Sequence, residues 1–235
     1  MNDKYFWVKH LNNNIMAKVP QGLLGPFIGK IGNVVGYILN GEYVVRSRPR
    51  KRRGKKTLKE KRNTTKFGGI QAWMKPLTEF VRVGFKDYGT KTGGYKGAVS
   101  HALLYAVEGD YPNQYVNPEK IMVSGGELDF PVSCDMFLDA DLKLGFSWDT
   151  SIGTSVNAYD QAMLLAYCVE NNSVVSKVTG AFRMDGADFL QLFPDREEQE
   201  YHVYLGFVAQ DRSCQANSRY LGKVLVPKNE KGHAE

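Results

Sequence analysis

Between Arg46 and Lys66 the chain gathers Arg46, Arg48, Arg50, Lys51, Arg52, Arg53, Lys55, Lys56, Lys59, Lys61, Arg62 and Lys66, with Glu60 as the only acid. These are twelve of its 31 cations within 21 residues. Like charges at that density repel one another, and an anionic partner relieves the repulsion. Arginine dominates the stretch up to Arg53, and guanidinium forks meet phosphate oxygens two at a time, whereas the lysines that follow add point charges. No aromatic residue interleaves the block, so base stacking is not indicated and backbone-phosphate contact without strong sequence preference is the expected chemistry. The expected polyanion-binding residues are Arg46, Arg48, Arg50, Lys51, Arg52, Arg53, Lys55, Lys56, Lys59 and Arg62. The bland alternative is a solvated tail that only aids solubility.

Other chemistry fails on spacing. Gly29-Lys30 suggests a phosphate loop, but Leu24 stands where the first glycine belongs and Ile31 where a Ser or Thr would hold magnesium. A dinucleotide site would need a parallel strand–helix unit around these glycines, which the pattern lacks. Asp135, Asp139, Asp141 and Asp149 are spread over strand ends rather than packed in a calcium loop, and read as turn residues. Glu197, Glu198 and Glu200 read likewise. Cys134, Cys168 and Cys214 form no Cys-x-x-Cys pair and are odd in number. His10, His101, His202 and His233 stand far from any cysteine pair. No Gly-x-Ser-x-Gly elbow occurs. The expectation is a non-enzymatic protein with no cofactor, no metal and no catalytic residue.

Charge is unevenly divided. Residues 1–110 carry 21 Lys and Arg against 7 Asp and Glu, whereas residues 111–235 carry 10 against 18. A basic front that meets an anion and an acidic back held away from it fit this split. With 43% hydrophobic and 12% aromatic residues the chain can build a core. The longest apolar candidate, residues 22–39, is broken by Lys30 and Asn33, so no membrane partner is expected. No apolar run follows Lys4 and Lys9, which argues against a secretory signal and for a cytoplasmic protein, or else a component of a phage particle.

The elements that would carry the basic block are legible. Asn40-Gly41 between Val34–Leu39 and Tyr43–Arg46 signals a tight hairpin, because both central residues of a type I′ turn need positive φ. Pro49 and Gly54 make the first part of the block an extended arm. Thr57-Leu-Lys-Glu60 reads as a capping box. Beyond it, Phe67, Ile70, Trp73/Met74, Leu77, Phe80/Val81, Gly84/Phe85 and Tyr88 recur at steps of three and four, one face of a helix that Pro76 should kink or split. A shorter helix is expected over Tyr95–Val107, with Ala98, Ala102 and Tyr105 facing inward. Trp73 and Trp148 read as core anchors.

After Pro112 short alternating runs appear at intervals near ten: Ile121–Val123, Val132–Leu138, Leu142–Trp148, Met163–Val169, Val174–Phe182, Phe189–Leu192, Tyr201–Ala209 and Tyr220–Val226. In one of them Leu142, Leu144, Phe146 and Trp148 share a face with period two. Seven or eight such strands are what an antiparallel sandwich needs. The expected fold class is α+β, an N-terminal β-hairpin plus helices beside a C-terminal antiparallel immunoglobulin-like β-sandwich. The expected organisation is an N-terminal extension (1–15), a basic hairpin–helix region (16–110), a sandwich domain (111–228) and a disordered tail (229–235).

The run Gly25-Pro-Phe-Ile-Gly-Lys-Ile-Gly-Asn-Val-Val-Gly36, followed by Val44-Val-Arg-Ser-Arg-Pro49, resembles the opening of an uncharacterised domain family abundant in Bacteroidota. Trp73–Tyr88, Val203-Tyr-Leu-Gly-Phe207 and Ser218-Arg-Tyr-Leu-Gly222 resemble its later segments, so the likeness spans nearly all of residues 16–226. It implies a basic hairpin–helix front joined to an immunoglobulin-like or fibronectin-like sandwich, and it carries no activity with it. Function then rests on the cations. The leading expectation is a structural or binding protein whose basic arm contacts DNA or RNA. The alternative is an assembly module of a particle or phage, whose arm docks on an acidic protein surface or on a second copy.

Overall fold

A computed structural model of the chain describes residues 17–18, 25–39, 41–51, 54–86, 88, 93–151 and 157–229. The expected extension (1–15) therefore lies outside the described residues, as does the expected tail beyond Asn229. Contacts divide the chain into two compact units, residues 1–55 and 56–235.

The first unit is a four-stranded antiparallel sheet in chain order: β1 (Ala17–Lys18), β2 (Ile28–Ile31), β3 (Val34–Leu39) and β4 (Glu42–Ser47). Leu39 pairs with Glu42 across the expected turn, where Gly41 has φ +85° and Asn40 lies outside the described residues. Gly36 in the middle of β3 has a steric reason. A Cβ there would strike the backbone carbonyl of Phe27 and come within 2.9 Å of its ring.

The second unit opens with three helices, α1 (Leu58–Met74), α2 (Thr78–Gly84) and α3 (Gly94–Tyr105). The expected split at Pro76 is real, since α1 ends two residues before it. A small hairpin, β5 (Val107–Glu108) with β6 (Tyr115–Val116), and a 3₁₀ turn at Pro118–Lys120 lead to seven further strands. These are β7 (Cys134–Leu138), β8 (Lys143–Trp148), β9 (Gln161–Cys168), β10 (Ser173–Lys177), β11 (Ala187–Gln191), β12 (Gln199–Val208) and β13 (Arg219–Val226). They form two antiparallel sheets ordered β11-β8-β7 and β10-β9-β12-β13. The chain crosses between sheets after β8, β10 and β11, the connectivity of an immunoglobulin-like sandwich. The α+β class expected from the sequence is the observed one.

Two cores explain the layering. Leu144, Phe146, Trp148 and Leu190 of one sheet meet Leu164, Ala166, Val203, Leu205 and Phe207 of the other. On the opposite face of β9 and β12, Met163, Leu165, Tyr167, Tyr204 and Val208 meet Ile70, Trp73, Met74, Leu77, Phe80, Val81, Ala98 and Ala102 from the helices. The central strands β9 and β12 are thus covered on both sides, and β9 shows no alternation because neither face sees water. Trp73 stands edge-on to Tyr167 at 4.9 Å and Trp148 edge-on to Phe207 at 5.4 Å, so each anchors a different core. Arg183, 1% exposed, ties the second core together. Its guanidinium lies 4.3 Å over the Phe207 ring and donates from Nη2 to the Asp129 carbonyl at 2.8 Å, while Trp148 Nε1 donates to the Arg183 carbonyl.

Some expectations are corrected. Residues 121–123 pair in no strand: the 3₁₀ turn ends at Lys120, and Ile121 and Val123 are buried as irregular chain. The expected Val174–Phe182 strand stops at Lys177. Tyr105 is 61% exposed, because the stripe α3 buries runs through Ala98, Val99 and Ala102 to Ala106 and leaves Tyr105 at its margin against the His101 ring. Phe67, 49% exposed, precedes the point where α1 reaches the core, and Tyr88, 37% exposed, lies beyond the end of α2. Asp139 and Asp149 do serve turns. Asp139 Oδ1 accepts from the Asp141 and Lys143 amides, and the Asp149 carboxylate accepts from Ser151. Cys134, Cys168 and Cys214 are free thiols. Among the described residues no helix is long and apolar enough to cross a membrane.

Candidate polyanion interface

The basic block begins in β4, where Arg46 pairs in register with Val35 and holds its guanidinium 5.5 Å over the Tyr37 ring. The Arg48 amide donates to the Asn33 carbonyl at 2.7 Å, which fastens the chain as it leaves the sheet. Arg46, Arg48, Arg50 and Lys51 are exposed, and residues 48–51 have no regular structure, as an extended arm requires. Arg52 and Arg53 lie outside the described residues. Lys55, exposed, closes the first unit, and Lys56 opens the second.

The second part of the block rides on α1, and the local sequence dictates its start. The Glu60 amide donates to Thr57 Oγ1 at 3.3 Å, while Glu60 Oε2 accepts from the Thr57 amide at 2.7 Å and from its hydroxyl at 2.8 Å. This is the reciprocal capping box read from the sequence. It occupies the carboxylate of the one acid in the block. Thr64 donates to the Glu60 carbonyl, and Lys56 Nζ reaches Thr64 Oγ1 at 3.4 Å.

No residue from Leu58 to Gly69 is buried, and the first buried side chain of α1 is Ile70. Three turns of capped helix therefore hold their side chains against solvent rather than against the core. Lys59, Arg62 and Lys66 follow the i, i+3, i+7 spacing of one helical stripe, with Lys59 and Arg62 exposed and Lys66 half-buried. Arg62 lies 3.7 Å from Asp110 in an exposed pair, a partner the sequence did not suggest. The helix N-terminus adds its own partial positive charge to this end. Of the described candidate cations, Arg46 lies in β4, Arg48, Arg50, Lys51 and Lys55 lie in irregular chain after it, Lys56 stands just ahead of the Thr57 cap, and Lys59 and Arg62 ride on α1.

The family model for DUF6266, a family of unknown function, matches residues 26–222. The chain belongs to that family. The DUF6266 match runs from Pro26, just before β2, to Gly222 in β13, and so takes in the basic block and the sandwich together. No curated protein and no solved structure matches the chain.

A second feature, not foreseen from the sequence, is a cleft lined by Tyr88, His101, Met122, residues 125–127, residues 213–215 and Asn217. Its lining comes from four separate segments between residues 88 and 217, and the Gly125-Gly126 pair, one of three Gly-Gly pairs in the chain, did not by itself single it out.

Proposed function

We propose that this DUF6266 protein is a non-enzymatic binding protein that grips the sugar-phosphate backbone of nucleic acid with Arg46, Arg48, Arg50, Lys51, Lys55, Lys56, Lys59 and Arg62, together with Arg52 and Arg53. The observation that carries the reading is the cationic half of α1: three capped turns with no buried residue. A helix segment that contributes nothing to a core but holds cations at fixed spacing is suited to a phosphate ladder. Binding would proceed by counterion release, so log affinity falls with log salt at a slope of about −0.9 per neutralised phosphate. With about six cations engaged the slope on duplex DNA is about −5. The test is fluorescence anisotropy with labelled duplex DNA and single-stranded RNA between about 50 and 200 mM salt. Neutralising Arg46, Arg48, Arg50, Lys59 and Arg62 to glutamine should flatten the slope toward zero. A flat response of the wild-type chain, or an unaltered slope in the variant, removes the reading.

A second reading has its own observation. Glu170, Asp195, Glu197 and Glu198 are exposed and line one depression beside Arg196 at the β9–β10 and β11–β12 turns, a surface complementary to the arm of another copy. Sedimentation without nucleic acid separates the two. Oligomers that dissolve in high salt favour assembly, as in a particle, and a monomer at low salt favours nucleic acid, as for a cytoplasmic protein.

A further inference from the structure

The strands β2 to β4 of the first unit sort their side chains by charge. Directly paired residues of an antiparallel sheet stand on the same face, and neighbours along a strand stand on opposite faces. Ile31 pairs with Val34, Val34 with Ser47, Ile38 with Tyr43, and Gly36 with both Gly29 and Val45. Ile31, Val34, Ile38, Tyr43 and Val45 therefore share one face, together with Ser47 and the two glycines. Phe27 crosses the middle of that face and fills the space above Gly36. From β2 to β4 no charged residue stands on it. Lys30, Glu42 and Arg46 all belong to the other face, beside Leu39 and the half-buried Val35, Tyr37 and Val44.

This is the alternation of a sheet that packs one face and wets the other. Yet the uncharged face is open, with Ile31, Val34, Ile38, Tyr43 and Val45 each 37–55% exposed. Single apolar side chains on a surface are ordinary, whereas five on one contiguous face mark an interaction surface. Such a face is buried by a second layer, and two copies supply that layer to each other when their sheets pack face to face about a twofold axis.

Charge selects a second copy as the occupant and fixes where the copies meet. Residues 1–110 carry 21 Lys and Arg against 7 Asp and Glu, so two such regions repel unless their contact brings no cations together. The face from Ile31 to Val45 meets that condition and turns Lys30 and Arg46 of both copies outward. Pairing would remove roughly 800 Å² from water in all, the low end for a specific interface, which fits a dimer of micromolar affinity.

We infer that the protein forms a salt-resistant homodimer through the uncharged face of its N-terminal sheet. None of the proposed phosphate-binding residues lies on that face, so the inference stands or falls apart from nucleic-acid binding. Its indifference to salt separates it from an arm docked on an acidic surface.

The test is sedimentation equilibrium of the nuclease-treated full chain from about 1 to 200 µM, at about 0.1 and about 1 M salt. A monomer–dimer equilibrium with a dissociation constant of about 10–100 µM should appear at both. The decisive variants are Ile38→Lys and Leu39→Lys. These neighbours are 49% and 50% exposed but stand on opposite faces of β3. Ile38→Lys drives two like charges into the contact and should weaken the dimer about tenfold or more, whereas Leu39→Lys should leave it unaltered. Val45→Lys, at the most exposed position of the face, repeats the test if Ile38→Lys unfolds. A monomer at every concentration, which would leave the face to a different partner, overturns the inference. So does a dimer that dissociates at the higher salt, or one that responds equally to the two lysines.

Discussion

Residues 58–69 of α1 bury no side chain, whereas residues 70–74 bury Ile70, Trp73 and Met74, although one unbroken helix contains both. The second stretch is held by apolar area removed from water, and the first by its cap and by continuity with the second. Gly68 and Gly69 sit at the junction, two residues of poor helix propensity with nothing within 4 Å of where a Cβ would stand. The contrast teaches that the cationic turns are helical because a buried neighbour nucleates them, and that the core makes no use of their side chains.

The largest effect should come from the buried end. Trp73→Ala removes the ring that meets Tyr167 and Tyr204 edge-on, and urea unfolding should show a loss of about 3–5 kcal/mol. If the loss is under about 1 kcal/mol, the helices do not share a core with the outer face of β9 and β12. Next, Gly68→Ala with Gly69→Ala should stabilise by about 1–2 kcal/mol in total, since the sites are open and helical. A loss there would mean the glycines serve a bend. Thr57→Ala should cost about 1 kcal/mol of local helix stability. Its signature is faster amide exchange in residues 58–66 with global unfolding unmoved. Global destabilisation would erase the distinction between the two ends.

The smallest effect is with acid. Lys120 Nζ at 2.6 Å, the Tyr115 hydroxyl at 2.7 Å and the Asn117 amide at 3.0 Å hold the Glu108 carboxyl down to about 2 from 4.5. The folded state therefore releases this proton more readily than the unfolded one, and the contribution is present above pH 4.5 and lost as pH falls from there toward 2. Amide exchange of β5 and β6 should quicken over that window, and Glu108→Gln should abolish the pH dependence. The core end of α1 should not respond.

Much of this was legible in the sequence for local reasons. The Thr57–Glu60 box, the Asn40-Gly41 turn and the break at Pro76 are each decided within about four residues, by a hydroxyl, a positive φ or a missing amide. The period-two face of Leu144, Phe146 and Trp148 was visible because one side of β8 meets the other sheet. The inner face assigned to Tyr105 and Phe67 was not, since periodicity gives a stripe but not where along the helix the core begins.

The cations of residues 46–66, their order and the cap that fixes their helix were determined by the chain alone, because charge and hydrogen-bonding groups travel with the residues that bear them. Only the tertiary structure decided that β9 and β12 are covered on both faces, that Arg183 spans a core, and that Tyr88, His101 and Gln215 share one cleft. Those facts depend on which distant segments the packing brings together, and no local propensity encodes that meeting.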